Sequence, residues 1–289
     1  MITTILDVLI AGLILGGLYA LIAMGMSLQY GVARVFNIAH GEFIMLGAMT
    51  TWTLFTVFKI NPLLAVAICG PLAFILGYFI HKTLFKKLQS SSQNQAVFES
   101  NSLLASFGLM FVIQNLALIV WGPEIRQYSY LTQTVSIFGA LFGARRLVTL
   151  GFAVAIGVIF YIFLARTRIG KAIRAAGQDP TTAGLMGVNI NWVLALCFGL
   201  GAAMASVAGV LISMAYPDSA LMGQEYLTVA IIVVVLGGLG SIPGSFIGGF
   251  VLGIIGSIVS YFDPGLTMAA FYAIFVILLL VRPKGLMGT

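Results

Sequence analysis

Asn37, His40 and Glu42 stand together in "NIAHGEF" (37–43), between two segments that otherwise avoid polar side chains. Two kinds of chemistry suit these residue types. If a helix resumes after Phe36, Asn37 falls at its N-cap, where the side-chain oxygen accepts free backbone N–H groups. Glu42 then sits in the first turns, where a carboxylate complements the helix dipole. Alternatively, ionisable groups held at membrane depth mark a solute pathway. Capping is the preferred reading, and the pathway reading stays open beside it.

No catalytic set competes with these two. The chain has two histidines, His40 and His81, no H-E-x-x-H pair and no G-x-S-x-G elbow. It also lacks a G-x-x-x-x-G-K-[ST] phosphate loop, so ATP is not expected to bind and be split here by that route. Cys69 and Cys197 lie singly in apolar segments, without metal-ligand spacing. The expectation is therefore a chain with no cofactor, no metal and no enzymatic activity of its own.

The elements that must position the cluster are membrane helices. Of the 289 residues, 61% are hydrophobic and 8% charged, against roughly 25% charged in soluble domains. Apolar runs of spanning length recur, and in lipid each must satisfy its own backbone as a helix. Nine hydrophobic segments are predicted: 5–30, 41–58, 62–81, 102–121, 147–165, 190–215, 226–239, 245–262 and 266–281. The fold class is all-α, a polytopic bundle of eight or nine such segments forming one domain over 1–289, with broken or re-entrant helices. The net charge of +6 is spread across loops, a topology signal and not a nucleic-acid surface.

Basic clusters set the orientation. Lys82, Lys86 and Lys87 follow the third segment; Arg166, Arg168, Lys171 and Arg174 follow the fifth; Arg282 and Lys284 follow the last. The positive-inside rule places all three in the cytoplasm, with the C-terminus inside and the N-terminus outside. Arg145 and Arg146 count mildly against it. The start, "MITTILDVLI", lacks the positive region of a cleavable signal, so the first segment is expected to remain. The stretch 121–146 mixes aromatic and polar residues, as an external interfacial or partly folded segment would.

A second interruption lies in "GGLGSIPGSFIGG" (237–249), where Gly237, Gly238, Gly240, Pro243 and Gly244 break an apolar region. "HGEFI" (40–44) and "PGSFI" (243–247) share Gly, Phe and Ile at the same offsets, and paired breaks point to an internal repeat and a midplane pathway. Glycines in spans also let helices pack closely.

The hydrophilic stretch "RTRIGKAIRAAGQDPTTAGLMGVNINW" (166–192) reads as two short helices around a break. Asp179 can cap the second, Pro180 can occupy its first position and Gly187 can end it. Arg174 stands on the exposed side of the first. Leu185 and Met186 suit either an interfacial anchor or contact with a partner.

This stretch resembles the cytoplasmic coupling loop of the permease subunits of branched-chain amino acid ABC importers, the LivH-type family. "LGGLYALIAMGMSLQYGVARVFNIAHGEFIMLGA", "LLASFGLMFVIQN" (103–115), "VAGVL" (207–211), "LGGLGSIPGSFIGGFVLG" (236–253) and "RPKGLMG" are similar to further family motifs, in order. The resemblance implies a prokaryotic inner-membrane permease that takes substrate from an external binding protein. It also implies a heterodimer with a paralogous permease, two cytoplasmic ABC ATPases and a lipid surround, without nucleic acid. It makes 166–191 the coupling loop, with Arg174, Asp179 and Gly187 as its key positions. The segment 84–100 departs from the family pattern, being polar and without Pro. Urea or short amides are the alternative cargo, and a self-sufficient secondary transporter or channel is the alternative class.

Overall fold

A chain this apolar has one economical solution in lipid, which is to close every backbone hydrogen bond within helices and bury small faces between them. The computed structural model describes residues 2–137 and 140–287. Its helices, in order, are α1 (Ile2–Ala33), α2 (His40–Thr56), α3 (Pro62–Ile80), α4 (Lys86–Ser91), α5 (Gln95–Trp121), α6 (Ala144–Arg166), α7 (Arg168–Gln178), α8 (Pro180–Leu185), α9 (Ile190–Ala215), α10 (Gly223–Gly237), α11 (Ile242–Phe262) and α12 (Thr267–Val281). Among the described residues seven helices are long and apolar enough to cross a membrane. With α2 and α10, of 17 and 15 residues, they account for the nine predicted segments.

Helix ends differ from hydropathy ends because a helix continues past the lipid wherever its polar residues can cap or solvate it. A π-helical turn (His81–Phe85) carries α3 into α4, and α5 begins at Gln95, where the Asn94 side chain accepts from the Val97 N–H. The departing segment 84–100 is thus two helix ends joined by residues 92–94. In the stretch 121–146, β1 (Thr134–Ile137) pairs antiparallel with β2 (Ala140–Gly143), Thr134 opposite Gly143. Phe138 and Gly139 of that stretch lie outside the described residues, as do Met1, Gly288 and Thr289.

The bundle is built around α9. Of its apolar window 83% is buried, against 6% for the last span, so α9 is the axle and α12 lies at the rim. Close approach depends on missing side chains. Gly12, Gly16 and Ala20 recur at helical spacing along α1 and meet Gly249 and Gly253 of α11. A Cβ at Gly16 would lie 2.7 Å from the Phe250 Cα, and one at Gly253 would lie 2.3 Å from the Gly16 N. This is small-residue packing, in which van der Waals contact replaces the hydrophobic drive that lipid removes. Ser27 and Ser245 hydrogen-bond across the same seam.

Candidate functional site

Between α1 and α2 the chain turns at Arg34, whose φ of 54° is left-handed, and the polar cluster folds back against α1. His40 Nε2 donates to the Ile22 carbonyl (3.1 Å), and its Nδ1 lies 3.2 Å from Gln29 Oε1. Asn37 Nδ2 donates to the same Gln29 oxygen (3.3 Å), while Gln29 Nε2 donates to the Phe198 carbonyl of α9 (3.0 Å). Gln29, Asn37, His40 and Glu42 are all buried, none more than 1% exposed.

The capping role predicted for Asn37 is wrong. Ala39 occupies the N-cap of α2, with no side-chain cap bond. Asn37 contributes only its backbone carbonyl, to the His40 N–H (3.1 Å), because its side chain is drawn to Gln29. Asn37 Oδ1 and Glu42 Oε2 are buried without a partner among the described residues, which is costly for any polar group. Glu42 does remain in the first turn of α2, so the dipole argument survives for it. Its carboxylate packs on the start of α10: a Cβ at Gly223 would lie 2.8 Å from Glu42 Oε1. Gln29, which joins the cluster to α9, escaped sequence reading. A lone amide in "MSLQYG" was its only signal.

The second break is of another kind. α10 stops at Gly237, Gly238 and Gly240 take φ of 104° and 82°, and Ser241 caps α11 by accepting the Gly244 N–H (3.2 Å). Pro243 falls in the first turn of α11 and is exposed. A Cβ at Gly244 would lie 2.1 Å from the Gly237 carbonyl, so the two helix ends touch through backbone. Leu286 and Met287 complete the turn: their N–H groups donate to the Leu236 and Gly237 carbonyls (2.8 and 3.0 Å). The motif "RPKGLM" thereby satisfies carbonyls that the end of α10 leaves open. Residues 40–44 are all buried, whereas Pro243 and Ile247 of the second motif are exposed, so the shared Gly, Phe and Ile do not mark two breaks in equivalent surroundings.

The tertiary structure brings both breaks to the last turns of α1. Ile22 and Gln29 hold the polar cluster. Gly31 packs on Gly240, with 2.9 Å between a Cβ there and the Gly240 Cα, and a Cβ at Gly177 of α7 would lie 3.5 Å from the Gly31 carbonyl.

α7 and α8 form the predicted pair. Thr167 caps α7 by accepting the Gly170 N–H (3.0 Å). Asp179 caps α8, accepting from the Thr181 and Thr182 N–H groups (2.9 and 3.1 Å) and from the Thr182 hydroxyl. The Thr182 hydroxyl, then its N–H and that of Thr181, hold the Asp179 carboxyl below its ordinary pKa. Pro180 is the first residue of α8. At the other end Gly187 has φ 86°, its N–H donates to Gly184 (3.0 Å), and Val188 donates to Ala183 (3.1 Å). These are the two bonds of a Schellman ending. Leu185 and Met186, 84% and 82% exposed, project from the tip. Arg174 is exposed, but one guanidinium nitrogen donates to the Ala165 carbonyl of α6 (3.2 Å), so it ties α7 to the bundle.

At the opposite end of α6, sequence reading missed a pair outside the spanning helices. Arg126 and Asp218 exchange backbone bonds (2.7 and 2.8 Å), and the Arg126 guanidinium lies 4.1 Å from the Trp52 ring centroid. The Asp218 carboxylate is buried without a partner among the described residues, and burial raises its pKa to about 8. A carboxyl whose folded pKa is raised stabilises most below its unfolded pKa, and that contribution is lost as pH rises through the folded value. Detergent-solubilised protein is therefore expected to be more stable near pH 5 than at about pH 9. Asp218→Asn should recover about 1 kcal/mol or more at the higher pH and flatten the profile. Thermal unfolding of both proteins across that range checks this; parallel profiles would contradict it.

Residues 8–281 match the family described as branched-chain amino acid transport system / permease component. The chain is 31% identical to the high-affinity branched-chain amino acid transport system permease protein LivH of Escherichia coli (strain K12), over 96% of this chain and 93% of the relative. It is 31% identical to the corresponding protein BraD of Pseudomonas aeruginosa, over 98% and 95%. A probable branched-chain amino acid transport permease protein LivH of Methanocaldococcus jannaschii is 25% identical over 97% and 92%.

Proposed function

The chain belongs to the permease-component family of branched-chain amino acid transport systems, and from that premise we propose that it is the multi-pass permease of an ATP-driven importer of branched-chain amino acids. The match over residues 8–281 carries this reading, because it takes in the spans, both helix breaks and the α7–α8 pair. It also favours a transporter component over an enzyme or a self-sufficient secondary transporter.

In this reading the chain pairs with a paralogous permease and receives substrate from an external binding protein. Of the two ATPases that serve the permease pair, one docks on the α7–α8 face, which the basic clusters orient to the cytoplasm, as they do the C-terminus; the N-terminus lies outside. Asp179 and Gly187 shape α8, and Leu185 and Met186 present an apolar tip to an ATPase. Arg174 anchors α7, so a push on α8 reaches the α7 contact with Gly31 and, through α1, the Gln29–Asn37–His40 cluster and the Gly237–Gly244 turn. Movement of these contacts is how substrate access alternates. Such switching needs two arrangements of packed helices that ligand and nucleotide stabilise differently.

Uptake of radiolabelled leucine, alanine and urea in a strain lacking the chain is the test. Restored leucine uptake that requires the ATPases supports the proposal. Uptake of urea alone would replace the substrate, and leucine uptake without any ATPase would overturn the importer reading. Purified chain alone is expected to hydrolyse ATP no faster than background.

A further inference from the structure

Two adjoining cavities run along the bundle surface where α6, α11 and the end of α7 meet. The deeper one, about 170 Å³, is walled by Met24, Val158, Phe246 and Ile247 together with Tyr161 and Pro243. The other, about 160 Å³, shares Tyr161 and Pro243 and opens at Leu164, Ala165, Arg174 and Ile242. From Ala165 to Val158 along α6 the groove descends about 10 Å at the helical rise. Val158, Tyr161 and Ile247 are 43%, 50% and 42% exposed, so the groove is open to the surroundings of the bundle along its length.

Its mouth is positively charged and unbalanced. The bond to the Ala165 carbonyl fixes the Arg174 guanidinium at the rim, while its other donors stay free of that contact. Arg166 ends α6 directly after Ala165, and Arg168 opens α7. No Asp or Glu occurs from Ala144 to Gln178 or from Tyr226 to Phe262, and Asp7 is at the opposite end of α1. Asp179, which follows α7, gives its carboxylate to the α8 cap and leaves Arg166, Arg168, Lys171 and Arg174 in excess. A charge this near a bilayer surface, above an apolar slot, matches an amphiphile with an anionic head and a hydrocarbon tail. Basic sites between spanning helices recognise such lipids.

We propose that this groove is a binding site for an anionic phospholipid: the acyl chain lies against Val158, Phe246 and Ile247, and the phosphate meets Arg174, with the Tyr161 ring at the boundary. A neutral lipid satisfies the slot but not the guanidinium. A free anion satisfies the guanidinium but gains nothing from the slot. The site requires only that the chain lie in a bilayer, and it is independent of which solute is carried. Because α7 is tied to α6 by the same arginine, lipid occupancy also fastens α7 to the bundle.

The test uses the full-length chain with its co-purifying subunits, reconstituted in phosphatidylcholine vesicles containing a trace of photoactivatable phosphatidylglycerol. Cross-links mapped by mass spectrometry are expected within 157–165 and 242–247. Unlabelled phosphatidylglycerol should compete them away, and added phosphatidylcholine or inorganic phosphate should not. Arg174→Gln should weaken competition by phosphatidylglycerol about fivefold, the effect of one basic side chain at a membrane surface. Val158→Trp, which fills the slot at an exposed position, should abolish the cross-links without touching the charge. Equal labelling by photoactivatable phosphatidylcholine would make the groove a place for bulk lipid only. Competition by phosphate would make it a free-anion site. Absence of cross-links would mean that a partner helix covers it. Each of these results overturns the proposal, as does unchanged labelling in both variants.

Discussion

Gly209→Val is expected to leave almost no folded protein in the membrane. A Cβ at Gly209 would stand 1.9 Å from the Ile44 carbonyl oxygen and 3.1 Å from the Ala48 N. The reciprocal contact is as tight: a Cβ at Gly47 would stand 2.0 Å from the Ser206 carbonyl oxygen. These obstacles are backbone atoms of α2 and α9, which no side-chain rotation can move aside. Separating the helices would open the centre of the bundle, where Ile44, Ala48 and Ala205 are 0% exposed. The cost should exceed the roughly 1 to 3 kcal/mol of ordinary overpacking. Gly108→Val is the control, since nothing lies within 4 Å of a Cβ there. Membrane-fraction abundance and thermal unfolding of both variants decide the matter; a Gly209→Val protein as abundant and stable as Gly108→Val would refute the packing argument.

The double variant Asp179→Ala, Gly187→Val is expected to cut transport roughly tenfold or more while leaving insertion and abundance unchanged. A helix of six residues cannot hold itself together in water, and Ala183 is the buried residue of α8. Its ends must therefore supply much of its stability. Removing the cap costs about 0.5 to 2 kcal/mol, and a β-branched residue at φ 86° costs about 1 to 2 more. Together they lower the population of formed α8 by roughly tenfold or more. Uptake should fall by a comparable factor, with reduced co-purification of the ATPases. Normal uptake and co-purification would make α8 a membrane-surface connector and nothing else.

The contrast between these sites shows where sequence suffices. Asp179, Pro180 and Gly187 were readable because capping is local: each acts on backbone groups within a few residues. The nine segments were readable because lipid imposes a length and a composition on every span. Asn37 misled for the same reason in reverse. Its local surroundings suit a cap, but its side chain turns to Gln29, eight residues back in the chain and on another helix. Nothing in "NIAHGEF" announces that competitor. Asp218 was equally silent, because it is held by an isolated backbone bridge to Arg126, 92 positions away in the chain.

By itself, then, the sequence determined that this protein is an all-helical membrane bundle, where its spans fall, and that α8 is a short helix closed at both ends. Those features follow from composition and from interactions between near neighbours. Only the tertiary structure decided that α9 is the axle, that Gly47 and Gly209 interlock, and that the last turns of α1 join α7 to both helix breaks. It also decided that Arg174 is tied to α6 at the mouth of a groove. These depend on contacts between residues far apart in the chain, and in a bundle where nearly every face is apolar, hydropathy does not say which face meets which. Backbone approach at particular glycines does.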